Sequence, residues 1–256
     1  MRLVLLLLVP LSIVWASLIK APLHHVDGQQ GVIKIGTLQE GISGFVVRHF
    51  NDAHSAIIAQ AVVVAVDSEH NEATLAFSTY DGLKQHALPK GTWTPKAGDE
   101  VQLAFAYNRA LLIAPNREIY HHVTSKGENI SWISPDLFAA MLSERGHPTP
   151  LQEDIQDFCD AATVGLLYIY TQKSLFTLDC HSFQVLQTTP LPHEASGVQV
   201  PFYSRIEHIR EAWWGAGSSP MRAYEPYYFH LIEGRNQSNA LFQKWRQSTS
   251  VSSKEL

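Results

Sequence analysis

The spacing of apolar positions divides the chain into two textures. From Gly31 to Pro115 apolar residues come in short runs broken by turn residues. Gly31–Gly36 and Gly44–Phe50 each have the length of a strand, with a turn at Asn51-Asp52 after the second. Ala56–Val66 is a long run rich in Val and Ile, the composition of a buried strand. Ser68–Asn71 turns it, and Glu72–Ser78 returns as its hairpin partner. Ala87-Leu88 closes a short strand, and Pro95–Asp99 is a second turn, because Pro sets φ and Gly tolerates positive φ. Val101–Tyr107 and Ala110–Ala114 read as another hairpin around Asn108-Arg109. Short strands separated by regular turns predict a small barrel or sandwich.

Beyond Pro115 the period lengthens. Asn116 is placed to cap a short helix over Arg117–Ser125. Ser134-Pro135 is a strong helix start, with Leu137, Phe138, Met141 and Leu142 as its stripe and Gly146 as its stop. Thr149–Gln152 repeats that start signal, with Gln152 placed for a capping box. Leu151, Ile155, Phe158 and Cys159 then share one face. Val164–Tyr170 and Leu175–Cys180 form a hairpin around Gln172–Ser174. Residues 188–201 are Pro-rich and read as loop. Ile206, Ile209 and Trp213 recur at helical spacing, which predicts a helix over Ser204–Trp214, broken by Gly215–Pro220. Tyr224–Ile232 suits strand or helix equally, and the Ser/Thr-rich tail from Gln247 reads as frayed.

The N-terminus has its own pattern. Arg2 precedes an apolar run from Leu3 to Trp15, and Val14-Trp15-Ala16 offers the small residues of a cleavage site after Ala16. The run falls short of the roughly 20 residues that span a bilayer, and no second stretch could do so. The expected organisation is an export signal over 1–16, an extended arm over 17–30, a β-barrel-like module over 31–115, an α/β module over 116–245 and a flexible tail over 246–256. The expected fold class is α+β, a small antiparallel β-barrel-like module packed on an α/β module.

Composition narrows the function classes. Acids outnumber bases, 24 to 19, which excludes a strongly basic nucleic-acid binder. Two cysteines exclude a disulfide-dense miniature scaffold and a four-cysteine zinc site. Cys159, on its helix stripe, and Cys180, in phase with Phe176 and Leu178, point to one core, where a disulfide and two buried thiols are both open. The thirteen histidines include neither HExxH nor His-x-His, and His121, His147 and Asp136 are the one set considered for convergence on a metal. No G-x-S-x-G is present, and the glycines of Gly215–Ser219 lack the strand and lysine of a phosphate loop. No catalytic motif stands out, and the expectation is a non-enzymatic protein with no cofactor and no metal, a hydrolase with a site assembled from distant His and Asp residues being the alternative. Trp213-Trp214 and Tyr227-Tyr228-Phe229 place large rings on both faces of their elements, and only one face can be core, so packing across domains and a partner surface at Trp213, Trp214 and Tyr227 both account for them.

Several less periodic segments carry a resemblance. They are YNRALLIAPN from Tyr107 to Asn116, WISPDLFAA from Trp132 to Ala140, GHPTP from Gly146 to Pro150, DCHSF from Asp179 to Phe183, PFYSRI from Pro201 to Ile206, and WWG from Trp213 to Gly215. Together they resemble the N-terminal domain of the plasminogen-binding PgbA family of Helicobacter-type bacteria, over roughly residues 30–235. The resemblance implies an exported protein of the periplasm or cell surface that captures host plasminogen, whose kringles read lysine side chains. It implies no active site. Members with that activity carry a lysine-rich C-terminal extension, whereas this sequence has nine lysines and ends Lys254-Glu255-Leu256. Lys254 beside Glu255 is the candidate mimic of a C-terminal lysine, with Lys244 a poorer one. The alternative is a periplasmic envelope or assembly factor that shares the domain and docks through Trp213, Trp214 and Tyr227.

Overall fold

The structure, a computed structural model, describes residues 18–80, 82, 93–126, 129–192 and 197–252. The export signal, the Ala87-Leu88 strand and the Lys254-Glu255 pair lie outside the described residues. In chain order the elements are β1 (Ile19–Pro22), β2 (His25–Asp27), β3 (Gln30–Ile33), β4 (Ser43–Asn51), β5 (His54–Asp67), β6 (Glu72–Ser78), β7 (Glu100–Leu103), β8 (Arg109–Ile113), α1 (Arg117–Thr124), β9 (Ser131–Ile133), α2 (Pro135–Arg145), α3 (Gln152–Ala162), β10 (Leu166–Thr171), β11 (Ser174–Asp179), β12 (Val185–Pro190), α4 (Tyr224–Asn236) and α5 (Ala240–Ser252). The class is α+β. None of the described helices is long and apolar enough to cross a membrane.

The first sheet is antiparallel, in the order β1-β7-β4-β5-β6-β3-β2. Its turns have local causes. Asn51 Oδ1 accepts from Ala53 N between β4 and β5, and Asp67 Oδ1 accepts from Glu69 N and His70 N between β5 and β6. The alternation of β5 sends Ala59, Ala61 and Val63 inward, against Val46, Leu75 and Val101, and leaves Val64 outward, while the register shift opposite Val46 and Val47 breaks the alternation and leaves Ile57 exposed. Residues 19–27, expected to be an extended arm, make the curl possible. β1 pairs with β7 at one edge of the sheet, and two residues later β2 pairs with β3 at the other. Leu23 continues the first ladder, donating to Asp99 O and accepting from Gly98 N. One extended segment thus satisfies both edges, which would otherwise invite pairing with other chains.

The second sheet runs β12-β11-β10-β8-β9, with β8 parallel to both β10 and β9. This corrects the expected hairpin between Val101–Tyr107 and Ala110–Ala114. Ala104 and Ala106 take left-handed φ values of 57° and 56°, and the chain leaves the first sheet there. Residues 110–113 are fully buried on both faces, as suits a central parallel strand, and that run carries no alternation to distinguish it from a hairpin arm. The β10–β11 hairpin is as expected, and Gln172 and Lys173 supply the two positive φ values of a two-residue loop.

One face of this sheet packs on α2, α3, α4 and α5 through Leu111, Ile113, Leu167, Ile169, Phe176 and Leu178. On the other face Ala110 and Leu166 join the core of the first sheet, while Leu112 and Tyr170 meet α1. Helix α5 runs through 246–252, and its Phe242 and Trp245 are buried. Helix α3 starts later than the Thr149–Gln152 signal suggested. Asp154, not Gln152, reaches back to the cap, accepting from Leu151 N at 2.8 Å.

Two devices fasten the sheets and α3 together. The buried Asp179 carboxylate ends β11. Its Oδ2 accepts from Ser43 N, Ser43 Oγ and Tyr107 OH at 2.9, 2.7 and 2.6 Å. Its Oδ1 accepts from His181 N and Ser182 N at 2.9 and 2.7 Å. Next to it, Cys180 is disulfide-bonded to Cys159 of α3, with Cα atoms 6.2 Å apart. The two-thiol alternative is thereby set aside.

Candidate functional site

The segment read as a helix over Ser204–Trp214 is not one. Its backbone donors are taken by α2 and by the turn that follows it. Arg205 N donates to Asp136 Oδ1, Arg210 N to Ser143 Oγ and Ala212 N to Gly146 O, at 2.7, 3.1 and 2.9 Å. Arg205 also pairs with Asp136 through Nε at 2.6 Å. Ile209 is buried, so it supplied one beat of the apparent helical period, whereas Trp213 faces water. The chain bends outward after Ala212 and returns at Gly217, whose carbonyl accepts from Thr149 N at 3.1 Å. Thr149 Oγ1 donates to Ser219 O at 2.7 Å, and Met221 re-enters the core.

The platform under this loop is a charged knot. Gly146 stops α2 in the left-handed region at φ 73°, and a Cβ there would lie 2.5 Å from Ala212 N. Asp154 is buried and accepts from Arg145 Nη1 at 3.0 Å, while His147 Nδ1 lies 2.9 Å from its Oδ2. Arg145 also reaches Asp157 at 2.9 Å. Tyr227 of α4 is half-buried and donates from its hydroxyl to Pro150 O. Burial, and then the Asp154 charge, push its phenol up to about 12, so it stays protonated as a donor.

On this platform Trp213 and Trp214 stand 97% and 82% exposed. Beside them Gly215–Gly217, Ser219–Ala223, Pro226, Tyr227, His230 and Thr149 line an open, largely apolar recess of about 640 Å³, with Arg222 a charged residue in its wall. Of the three partner candidates Tyr227 lines the recess, and the two tryptophans are joined to it through Gly215, which follows Trp214 in the chain and lines it too. Thr149 and Gly146 hold this loop through Ala212, Gly217 and Ser219, partners up to 70 residues away that no sequence spacing reveals, and the His147–Asp154 pair lies beneath them.

A second cleft lies at the junction of the sheets, where pockets of about 280 and 130 Å³ share Phe45 and His181. Phe45 meets Tyr80 and Phe105 edge-on, at ring-centroid distances of 5.5 and 5.4 Å. His181 Nδ1 is 3.3 Å from Asp160 Oδ1. Tyr107, beneath this junction, is raised well above the ordinary phenol range, first by burial and then by the Asp179 charge. It is therefore held as a donor to that carboxylate. His121, His147 and Asp136 do not converge. His121 pairs with Arg117, His147 with Asp154 and Asp136 with Arg205. Among the described residues no group of three or more His, Cys, Asp or Glu is arranged to hold a metal ion.

Residues 18–232 match the family model described as plasminogen-binding protein pgbA N-terminal. Relatives named plasminogen-binding protein PgbA occur in Helicobacter pylori strains 26695 and J99. Each is 31% identical over 226 residues, covering 86% of this chain and 48% of the relative. The chain thus spans about half the length of these relatives. No solved structure matches. The match takes in both sheets, the seam at Asp179, the Trp213-Trp214 loop and most of α4, and the chain belongs to the family defined by the N-terminal region of the plasminogen-binding protein PgbA.

Proposed function

We propose that the chain is an exported, non-enzymatic binding protein of the plasminogen-binding type, which captures host plasminogen at the bacterial surface. Family membership is the observation that carries this reading, since the relatives are named for that ligand. Lys254 with Glu255 is the proposed determinant, because an ammonium beside a carboxylate reproduces the charge pair of a terminal lysine. Lys244, exposed on α5, is the internal substitute. The test is surface plasmon resonance of plasminogen over the chain from Ser17, with a lysine analogue as competitor and a variant ending before Lys254. Binding abolished by the analogue and by the truncation is the expected result. Analogue-sensitive binding that survives truncation moves the site to internal lysines. No binding at about 10 μM plasminogen sinks the role for this chain.

A second reading, an envelope or assembly factor with a partner in its own cell, is favoured by one observation. Two tryptophans in water on a tethered loop, with Tyr227 in the adjoining recess, have the composition of an interface centre.

A further inference from the structure

Trp213 and Trp214 are the most exposed large apolar side chains among the described residues, at 97% and 82%. Their exposure is not that of a loose terminus. Hydrogen bonds from Ala212 and to Gly217 fix both sides of the loop. An ordered loop that keeps two indoles in water is a surface awaiting a partner. We infer that this partner is a second copy of the same chain. In that contact Trp213 and Trp214 of each copy enter the recess beside Tyr227 of the other. The inference rests on the reading of this loop as an interface and is independent of plasminogen binding.

Placement is the first argument. Gly215 follows Trp214 directly and lines the recess, so projection and cavity adjoin along the chain. A two-fold axis between them sets each projection over the other copy's recess, as an isologous contact requires. Area is the second. Each indole removes about 200 Å² from water, so four of them with the matching surface they cover bury roughly 1,600 Å², the size of a standard stable interface. Charge is the third. Residues 212–221 carry no charged side chain, and the recess is lined by Arg222 and His230 but by no acid, so two copies of a chain with net charge −5 can meet here without placing carboxylates in contact.

Analytical ultracentrifugation tests this on the chain from Ser17, which contains every described element. The expected wild-type result is a concentration-dependent monomer–dimer equilibrium with a dissociation constant of about 1–10 μM. The double variant Trp213→Ala/Trp214→Ala removes the projection, and Ala216→Glu, at an exposed position of the recess, charges the cavity. Each should weaken dimerisation at least about 100-fold. Circular dichroism melting should be unchanged, because all three side chains are exposed. Mixing the two variants should restore a weaker heterodimer, since one projection and one intact recess still meet. A wild-type chain that stays monomeric at about 100 μM overturns the inference, as does a dimer indifferent to both variants. Tryptophan-dependent co-sedimentation of a monomeric chain with phosphatidylcholine vesicles would also overturn it and assign the loop to lipid. Plasminogen binding by both variants at wild-type strength separates this proposal from the preceding one.

Discussion

Replacing Asp179 by asparagine changes one oxygen of a carboxylate into a donor at a site where all five partners donate to it. If the new amide group sits where Oδ1 was, it faces His181 N and Ser182 N, neither of which can turn away. If it sits where Oδ2 was, the Ser43 and Tyr107 hydroxyls can rotate to accept, but Ser43 N cannot. The cheaper arrangement therefore orphans one buried backbone donor, at about 1–3 kcal/mol, and turns the remaining charge-assisted bonds into neutral ones. A loss of about 2–4 kcal/mol follows, or roughly 4–16 °C in melting temperature at 2–4 °C per kcal/mol for a chain of this size. The assay is urea unfolding without reductant, fitted for midpoint and slope, so that a stability change is separated from a change in the unfolded state. Asp179→Ala should cost more, because all five donors lose their acceptor. Ser43→Ala, which removes one hydroxyl donor, should cost only about 1 kcal/mol. An asparagine variant within about 0.5 kcal/mol of wild type would refute the reasoning, because the five donors would then not depend on the carboxylate.

Other consequences can be measured alongside. Replacing Cys159 and Cys180 by serine opens a loop of 21 residues in sequence separation and should cost about 3 kcal/mol, read as a lower urea midpoint that reductant no longer shifts. Gly146→Ala places a Cβ 2.5 Å from Ala212 N at a left-handed φ, so it should destabilise by at least about 1 kcal/mol and alter acrylamide quenching of tryptophan emission as the Trp213-Trp214 loop shifts; unchanged quenching and stability would contradict the tether. At Asp99, burial alone would raise the carboxyl, but the hydrogen bonds from Arg48 and Lys96 N outweigh it, and the carboxyl is held below its ordinary 3.8. A depressed carboxyl stabilises above its unfolded value and loses that contribution as pH falls through the folded one. Arg48→Ala should therefore cost stability at neutral pH and flatten the loss seen below about pH 4, and parallel acid profiles for wild type and variant would contradict this.

The sequence by itself determined the features that depend on near neighbours. Asn51-Asp52, Ser68–Asn71 and Gln172-Lys173 turned the chain where their side chains or positive φ values allow. Ser134-Pro135 and Gly146 bounded α2, because cap and stop lie within a few residues of the helix they limit. The pairing of Cys159 with Cys180 was readable as far as a shared core, since helix phase and strand phase fix where each side chain points. The family, too, was legible in segments such as DCHSF and WWG, although their physical roles were not.

Only the tertiary structure decided features whose partners lie far along the chain. Residues 19–27 have no period, yet they close the first sheet because β7 and β3 present unpaired edges to them. Residues 110–113 could not be told from a hairpin arm, because a strand buried on both faces shows no alternation, and its parallel neighbours are brought in from positions 131–133 and 166–169. Asp179 gave no signal beyond being acidic, because three of its five donors come from residues 43 and 107. The loop that displays Trp213 and Trp214 had helical spacing in Ile206, Ile209 and Trp213, and a helix needs its own backbone donors. Those donors are bound to Asp136, Ser143 and Gly146 instead, a competition that exists only once α2 has packed beside the loop.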